Sequence, residues 1–215
     1  MPLLLAIESS TNRASLALFR DGVCVFEGGF ESDRNHNSLL FDPLEKALAR
    51  LEGERLDEVV IGTGPGSYSG TRVGIAAGQG VALVHGCPAV GLSSLLATPV
   101  RRGFAIGDAR RGSAWWATVG DGLPQPELID PAELASRLRD QPAVFSFENV
   151  TRLGLPAELE VAHQEPTAPR LAEAWLALPE ETKARLRAEA PQPAYLRPPH
   201  ITEAKKGHPL LRKKE

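Results

Sequence analysis

A glycine-rich stretch, GTGPGSYSGTRVG at residues 62–74, is the part of the sequence with the most direct chemical potential. Backbone N–H groups at the start of a helix attract anions, so this stretch would suit a phosphate or nucleotide. The residues that would make such a contact are Ser69, Gly70, Thr71 and Arg72. However, the stretch lacks the lysine of a GxxxxGK[ST] phosphate loop and the central serine of a GxSxG elbow. A tight turn from a strand into a helix is the third interpretation.

Two acidic residues close strand-like segments ahead of polar turns. Glu8 follows LLLAI and Asp108 follows GFAIG, positions that in kinase-like α/β lobes bring acidic groups near a nucleotide. The phosphate loops that accompany such residues are missing. The five histidines and two cysteines match no local metal-binding spacing. We therefore expect no metal ion and no catalytic residue, with a phosphotransferase as an alternative.

The hydrophobic pattern predicts the elements that would position these residues. The apolar run at 3–7 and the alternating segments around Asp21-Gly22 predict three antiparallel strands, because Asp-Gly is a strong hairpin signal. A helix over 36–51 follows, which Pro43 should kink. A strand, the glycine-rich stretch and a helix over 71–85 complete the order βββαβα. A further strand and a helix that begins at Ser94, capped by Ser93, come next.

A faint repeat of about a hundred residues indicates two related α/β lobes. The segment GFAIGDARRGSAWWATV resembles LLLAIESSTNRASLALF, so Asp108 lies where Glu8 lies in the first copy. We expect the first lobe at 1–100, the second at 101–190 and a C-terminal extension at 191–215. Trp115 and Trp116 are adjacent on a predicted strand and should point to opposite faces of its sheet.

The helix predicted over 71–85 has small residues along one side. Gly70, Gly74, Ala77, Gly78 and Val81 lie about one turn apart, although each glycine within a helix costs roughly 1 kcal/mol relative to alanine. Such a stripe permits another element to approach the helix backbone closely. That element would belong either to the same lobe or to another subunit, and the spacing does not decide between them.

Composition excludes several classes of function. The 215 residues carry a formal net charge of −3, which gives no bulk attraction to nucleic acid or an anionic membrane. The exception is the basic tail AKKGHPLLRKKE, on which a nucleic-acid-binding module would depend. No stretch approaches the roughly 20 apolar residues of a membrane span, and MPLLLAIESS lacks a basic leader region. We therefore expect a cytoplasmic protein.

Several segments, in order from about residue 3 to 199, resemble the TsaB family, also called YeaZ. They are LLAIESSTNRASLAL, HNSLLFDPL, IGTGPGSYSGTRVGIAAGQGVAL, PAVGLSSL, AIGDARRGSAWWA and PAYLRPP. The resemblance implies an ASKHA architecture, with two actin/hexokinase-like lobes. It also implies a role in making threonylcarbamoyladenosine beside the anticodon of tRNAs that read codons beginning with A. Family members are non-catalytic partners that bind and stabilise the transferase TsaD, and an ATPase, TsaE, assists.

The resemblance further implies a surface for pairing with TsaD, and for a homodimer when the chain is alone. It maps onto the helices at 36–51 and 71–85: His36, Leu39, Leu40, Pro43, Leu44, Gly70, Thr71, Arg72, Gly74, Ala77, Gly78 and Val81. It leaves open a nucleotide at the interface with TsaD, and it implies tRNA contact only within the complex.

The catalytic paralogue has two metal-ligand histidines where Ser94 and Thr98 stand here. Hydroxyls are poor ligands for a transition metal, so we expect no metal at these positions. An ASKHA-type enzyme in its own right, a peptidase or a phosphotransferase, is the alternative.

Overall fold

The computed structural model describes residues 2–31, 39–139, 141 and 143–196, and its strands form two five-stranded mixed sheets. The first sheet has the order β3-β2-β1-β4-β5. Its strands are β1 Leu3–Glu8, β2 Arg13–Arg20, β3 Val23–Glu31, β4 Glu58–Gly62 and β5 Ala89–Leu92. β1 pairs antiparallel with β2 and parallel with β4. Asp21 and Gly22 turn β2 into β3 with φ of 53° and 79°, which confirms the predicted hairpin.

The second sheet repeats the connectivity of the first, in the order β10-β9-β6-β7-β8. Its strands are β6 Gly103–Asp108, β7 Ala114–Val119, β8 Glu127–Ile129, β9 Val144–Ser146 and β10 Ala162–His163. β6 pairs antiparallel with β7 and parallel with β9, as β1 does with β2 and β4. Glu8 and Asp108 therefore end equivalent central strands, and the internal repeat is confirmed.

Five α-helices and two short 3-10 helices accompany the sheets in the described part of the chain. They are α1 Phe41–Ala49, α2 Tyr68–His85, α3 Pro131–Leu138, α4 Ala168–Ala177 and α5 Glu180–Arg187, with 3-10 turns at Ser94–Ala97 and Thr151–Leu153. The expectation of a helix from Ser94 was right in its cap, since Ser93 Oγ accepts from the N–H of Leu95. The helix that forms there is a short 3-10 helix, Ser94–Ala97.

The two helices of the first lobe differ from their predicted bounds. α1 spans Phe41–Ala49 rather than 36–51, and residues 32–38, which include His36, lie outside the described residues. Pro43 therefore lies in the first turn of α1, where its missing N–H has no acceptor within α1 to lose. The kink expected in a helix over 36–51 stays a prediction. α2 begins at Tyr68 rather than residue 71, because Ser67 caps it by accepting from the N–H of Gly70 at 3.1 Å.

Both faces of the first sheet are covered by helices, which explains the unbroken apolar run of β1. Leu3, Leu5 and Ile7 point toward the side of α1 and α2, whereas Leu4 and Ala6 point toward α4 on the other side. Alternate residues of a strand face opposite sides, so a strand buried on both faces must be apolar throughout. α4, which we expected in the second lobe, thus packs on the first sheet.

The adjacent tryptophans of β7 face opposite sides of the second sheet, as predicted. Trp115 is buried in a cluster with Phe145 and Phe147. Trp116 lies on the other face, where its ring stacks on Phe104 with 6.1 Å between centroids and Arg137 covers it. Within the described ranges, no helix is both long and apolar enough to cross a membrane.

Candidate partner-binding surface

An apolar groove runs between α1 and α2 on the outer side of the first sheet. It encloses about 580 Å³ and is lined by Phe41, Leu44, Leu48, Val73, Ala76, Ala77, Gly80, Val81, Val84 and His85. His85 closes one end, and its Nδ1 accepts from the N–H of Leu56 at 3.2 Å. The groove is therefore bounded by carbon surface on both walls, with one imidazole fixed by the backbone.

Large apolar side chains on these helices are left open to solvent. Phe41 is 62% exposed and Val84 is 79% exposed, and both line the groove. Tyr68 and Leu83, at 75% and 83%, lie at the start and near the end of α2. The exposed apolar lining of the groove marks an interaction site in a folded chain, because its contact with water is unfavourable. Tyr68 and Leu83 lie outside that lining.

Gly70, Gly74 and Gly78 of α2 face the sheet and not the groove, which corrects part of the predicted interface. A Cβ atom on Gly70 would collide with the carbonyl oxygen of Ser9, and one on Gly74 with Ser9 Oγ. One on Gly78 would lie 2.5 Å from Ile61 Cδ1. The stripe therefore lets α2 lie close against its own lobe, the first of the two interpretations that spacing left open.

The other residues predicted for the interface are divided between core and surface. Leu44, Ala77 and Val81 line the groove. Leu40 and Thr71 are buried in the lobe, and Pro43 is buried on α1. Leu40, Thr71 and Pro43 are therefore not available to a partner, and neither are the three glycines that face the sheet.

Leu39 is 40% exposed, and Arg72 lies at the surface near the start of α2. The sequence pattern missed Phe41, Leu48, Val73, Ala76, Gly80, Val84 and His85 as groove residues. The available signal was the pair Leu83-Val84, which is apolar but falls outside the buried stripe of α2.

The glycine-rich loop is held tightly against the turn that follows β1. The N–H of Ser67 donates to the carbonyl oxygen of Ser10 at 2.6 Å. A Cβ atom on Gly66, whose φ is 153°, would collide with that same oxygen. The N–H of Gly70 is already bound to the Ser67 cap. The loop thus acts as a tight entry from β4 into α2, and anion contact by Ser69, Gly70, Thr71 and Arg72 stays a prediction.

Glu8 is enclosed beneath this loop. Its side chain is 0% exposed, and Oε1 accepts from the N–H of Ser10 at 2.8 Å. Oε2 has no hydrogen-bond partner within the described part of the chain. Burial raises the pKa of Glu8, against the smaller lowering effect of its hydrogen bonds to Ser10. A carboxyl group placed in this way is not presented to a substrate in solution.

Asp108, the equivalent residue of the second sheet, is hydrogen-bonded and ion-paired to its neighbours. Its carboxylate accepts from the N–H of Arg110 at 2.7 Å and pairs with the Arg110 guanidinium at 3.1 Å. The N–H of Asp108 donates to Glu148 Oε1, and burial raises the pKa of Glu148. Glu8 and Asp108 therefore do not form an open acidic pair.

The hydroxyls at the two positions of the paralogue's histidines have structural partners. Ser94 Oγ accepts from the N–H of Gly64 at 2.9 Å and so fixes the glycine-rich loop. Thr98 Oγ1 donates to the carbonyl oxygen of Leu95 at 3.3 Å. Among the described residues, no group of three or more His, Cys, Asp or Glu side chains could hold a metal ion.

Comparison with known proteins shows which family the chain is similar to. A family model described as "TsaD: tRNA N6-adenosine threonylcarbamoyltransferase" matches residues 28–118, which include both groove helices. The tRNA threonylcarbamoyladenosine biosynthesis protein TsaB of Escherichia coli K12 is 32% identical over 126 residues, 53% of each chain. These matches make the chain similar to the TsaB/YeaZ family. TsaB of Haemophilus influenzae is likewise 32% identical over 96 residues, 44% of this chain and 40% of that protein.

The chain spans about half the length of the curated relatives it matches. A crystal structure from Pseudomonas aeruginosa, described as an uncharacterized protein with similarity to peptidase YEAZ, matches it with a TM-score of 0.68. That match covers 92% of this chain and all of the other at 24% identity, and it concerns the fold alone. The two mixed sheets with their flanking helices are the ASKHA arrangement expected of the TsaB/YeaZ family.

Proposed function

We propose that this chain is a non-catalytic subunit of the TsaB/YeaZ type that binds and stabilises the threonylcarbamoyltransferase TsaD. It would thereby serve the formation of threonylcarbamoyladenosine beside the anticodon of tRNAs that read codons beginning with A. The observation that carries this proposal is the exposed apolar groove between α1 and α2. Similarity to the family supplies the role, and the groove supplies the surface.

The chemistry of the groove favours a protein partner. Its lining is carbon surface apart from His85, so it offers few groups that could orient a small polar substrate. Docking of an apolar helix face would remove Phe41 and Val84 from water, and burial of apolar area contributes roughly 25 cal/mol per Å². The same groove would hold a second copy of the chain when TsaD is absent.

The arrangement of the acidic residues supports a subunit without an active site of its own. Glu8 is enclosed by the glycine-rich loop, and Asp108 is engaged by Arg110. In this proposal the transfer reaction belongs to TsaD, TsaE acts through the complex of both proteins, and tRNA meets the chain only there. Any nucleotide would bind at the interface with TsaD, and the complex would work in the cytoplasm.

Light scattering after size-exclusion chromatography tests the proposal, with the chain alone and mixed with TsaD from the same organism. We expect a dimer that exchanges into a one-to-one complex. Val84→Glu should abolish both, because it places a charge in the apolar groove. Leu83→Glu is the matched control: it is the neighbouring residue, equally exposed, and does not line the groove. It should retain the complex.

Two results would contradict the proposal. A monomer that does not bind TsaD would show that the groove is not a partner-binding site. Hydrolysis of ATP or of a peptide by the purified chain alone, lost in Asp108→Ala, would instead favour an enzyme of the peptidase or phosphotransferase type.

A further inference from the structure

Arg72, near the start of α2, lies close to two exposed tyrosine rings. Its guanidinium carbon lies 3.3 Å from the centroid of the Tyr68 ring and 5.1 Å from that of Tyr195. One of its N–H groups donates to the carbonyl oxygen of Tyr68 at 2.7 Å. Tyr68 is 75% exposed and Tyr195 is 60% exposed. No carboxylate in the described ranges lies within ion-pair distance of Arg72.

Tyr195 reaches this position because the chain around it, residues 191–196, is fixed to both sheets. We call this segment the C-terminal strap. Pro191 packs against Gly91 of β5, and the N–H of Ala194 donates to the carbonyl oxygen of Thr63 at 2.9 Å. Leu196 packs against the buried cluster of the second sheet. These contacts of Pro191, Ala194 and Leu196 fix the backbone on both sides of Tyr195, so its ring is positioned although it is exposed.

Such an arrangement prepares an arginine to bind an anion. The guanidinium has five N–H groups, of which the fold uses one. Stacking on an aromatic ring fixes the plane of the group, so its free edge can meet a carboxylate with two parallel hydrogen bonds. Tyrosine and arginine are also the residues that contribute most at protein interfaces. Val73, the next residue, lines the groove, so Arg72 is adjacent in sequence to the groove lining.

We propose that Tyr68, Arg72 and Tyr195 are the charged anchor of the partner interface, and that Arg72 binds an Asp or Glu side chain of the protein docked in the groove. The inference rests on the proposed function and adds the C-terminal strap to the interface. The bound group is a carboxylate of the partner, because the exposed tyrosine rings beside the guanidinium provide a surface for protein side chains.

Affinity measurements by calorimetry with purified TsaD test the anchor. Arg72→Ala and Tyr195→Ala should each weaken binding at least tenfold. Arg72→Lys should recover only part of the loss, because a lysine is a point charge without the planar fork. Tyr195→Phe keeps the ring and should bind as the wild type does. Arg101→Ala, an exposed arginine outside the groove, is the control. Added salt should weaken the wild type more than Arg72→Ala.

The outcomes separate the two proposals. A wild-type chain that does not bind TsaD removes the proposed function, and the anchor with it. Wild-type binding that is unchanged in Arg72→Ala removes the anchor alone. Competition by inorganic phosphate or AMP at millimolar concentration, lost in Arg72→Ala, would assign the site to a phosphate and overturn the carboxylate. Thermal unfolding of each variant confirms that the lobes remain folded.

Discussion

At the scale of single residues, the enclosed carboxyl group of Glu8 has a consequence for stability. Burial raises its pKa in the folded chain above the ordinary value of 4.5, so the folded state holds the proton more tightly than the unfolded state. The free energy of unfolding should therefore fall as pH rises from about 4.5 through the folded pKa, by at most ~1.4 kcal/mol per pH unit. Well below pH 4.5 Glu8 is protonated in both the folded and the unfolded state, so it no longer makes the free energy of unfolding depend on pH.

Glu8→Gln removes this titration while it keeps the shape of the side chain. We expect the variant to lose the pH-dependent fall and to be at least as stable as the wild type at neutral pH. Denaturant unfolding at several pH values between 4 and 8 measures the difference. Glu127→Gln, on an exposed position of β8, is the control. Parallel pH curves for the wild type and Glu8→Gln would show that the carboxylate is accommodated without cost.

At the scale of elements, the two kinds of glycine on α2 should respond in opposite ways to a methyl group. Gly78→Ala brings a Cβ to 2.5 Å from Ile61 Cδ1, so the buried Ile61 side chain or the helix must shift, at a cost of roughly 1–3 kcal/mol. Gly80→Ala meets nothing within 4 Å and should stabilise the helix by up to about 1 kcal/mol. Thermal unfolding of the matched pair checks the orientation of α2, and equal effects would contradict it.

The same helix shows what the sequence could and could not predict. Period and composition predicted a helix with a small-residue side, and Asp21-Gly22 predicted the hairpin, because both depend on local conformation. Which side of α2 meets the sheet depends on Ser9 and Ile61, which are distant in sequence. β8 and β10 have three and two residues, too few to show the alternation of apolar and polar side chains that predicts a strand. α5 has no buried residue, so it lacks the apolar stripe that marks a helix.

At the scale of the whole molecule, a buried contact connects the last two helices to the first sheet. Trp175 of α4 is 1% exposed, and its Nε1–H donates to Glu58 Oε2 at 2.7 Å. The Arg187 guanidinium of α5 also binds Glu58 and reaches Glu180, and these carboxylates raise the pKa of Arg187. The chain that leaves the second sheet thus returns to the first and closes the molecule.

This connection predicts that both sheets unfold together. Glu58→Ala would leave the indole N–H without its acceptor, at a cost of roughly 1–3 kcal/mol. It should lower the unfolding midpoint while the transition stays single, because α4 packs on the first sheet and follows the second along the chain. Tryptophan fluorescence, which reports on Trp115 and Trp116 in the second sheet and on Trp175 against the first, should give a curve that coincides with far-ultraviolet circular dichroism. Asp42→Asn, which breaks only the exposed pair with Lys46, should cost about 0.5 kcal/mol or less. Two separate transitions in the wild type would show that the sheets are held independently, and Glu58 would then matter to the first alone.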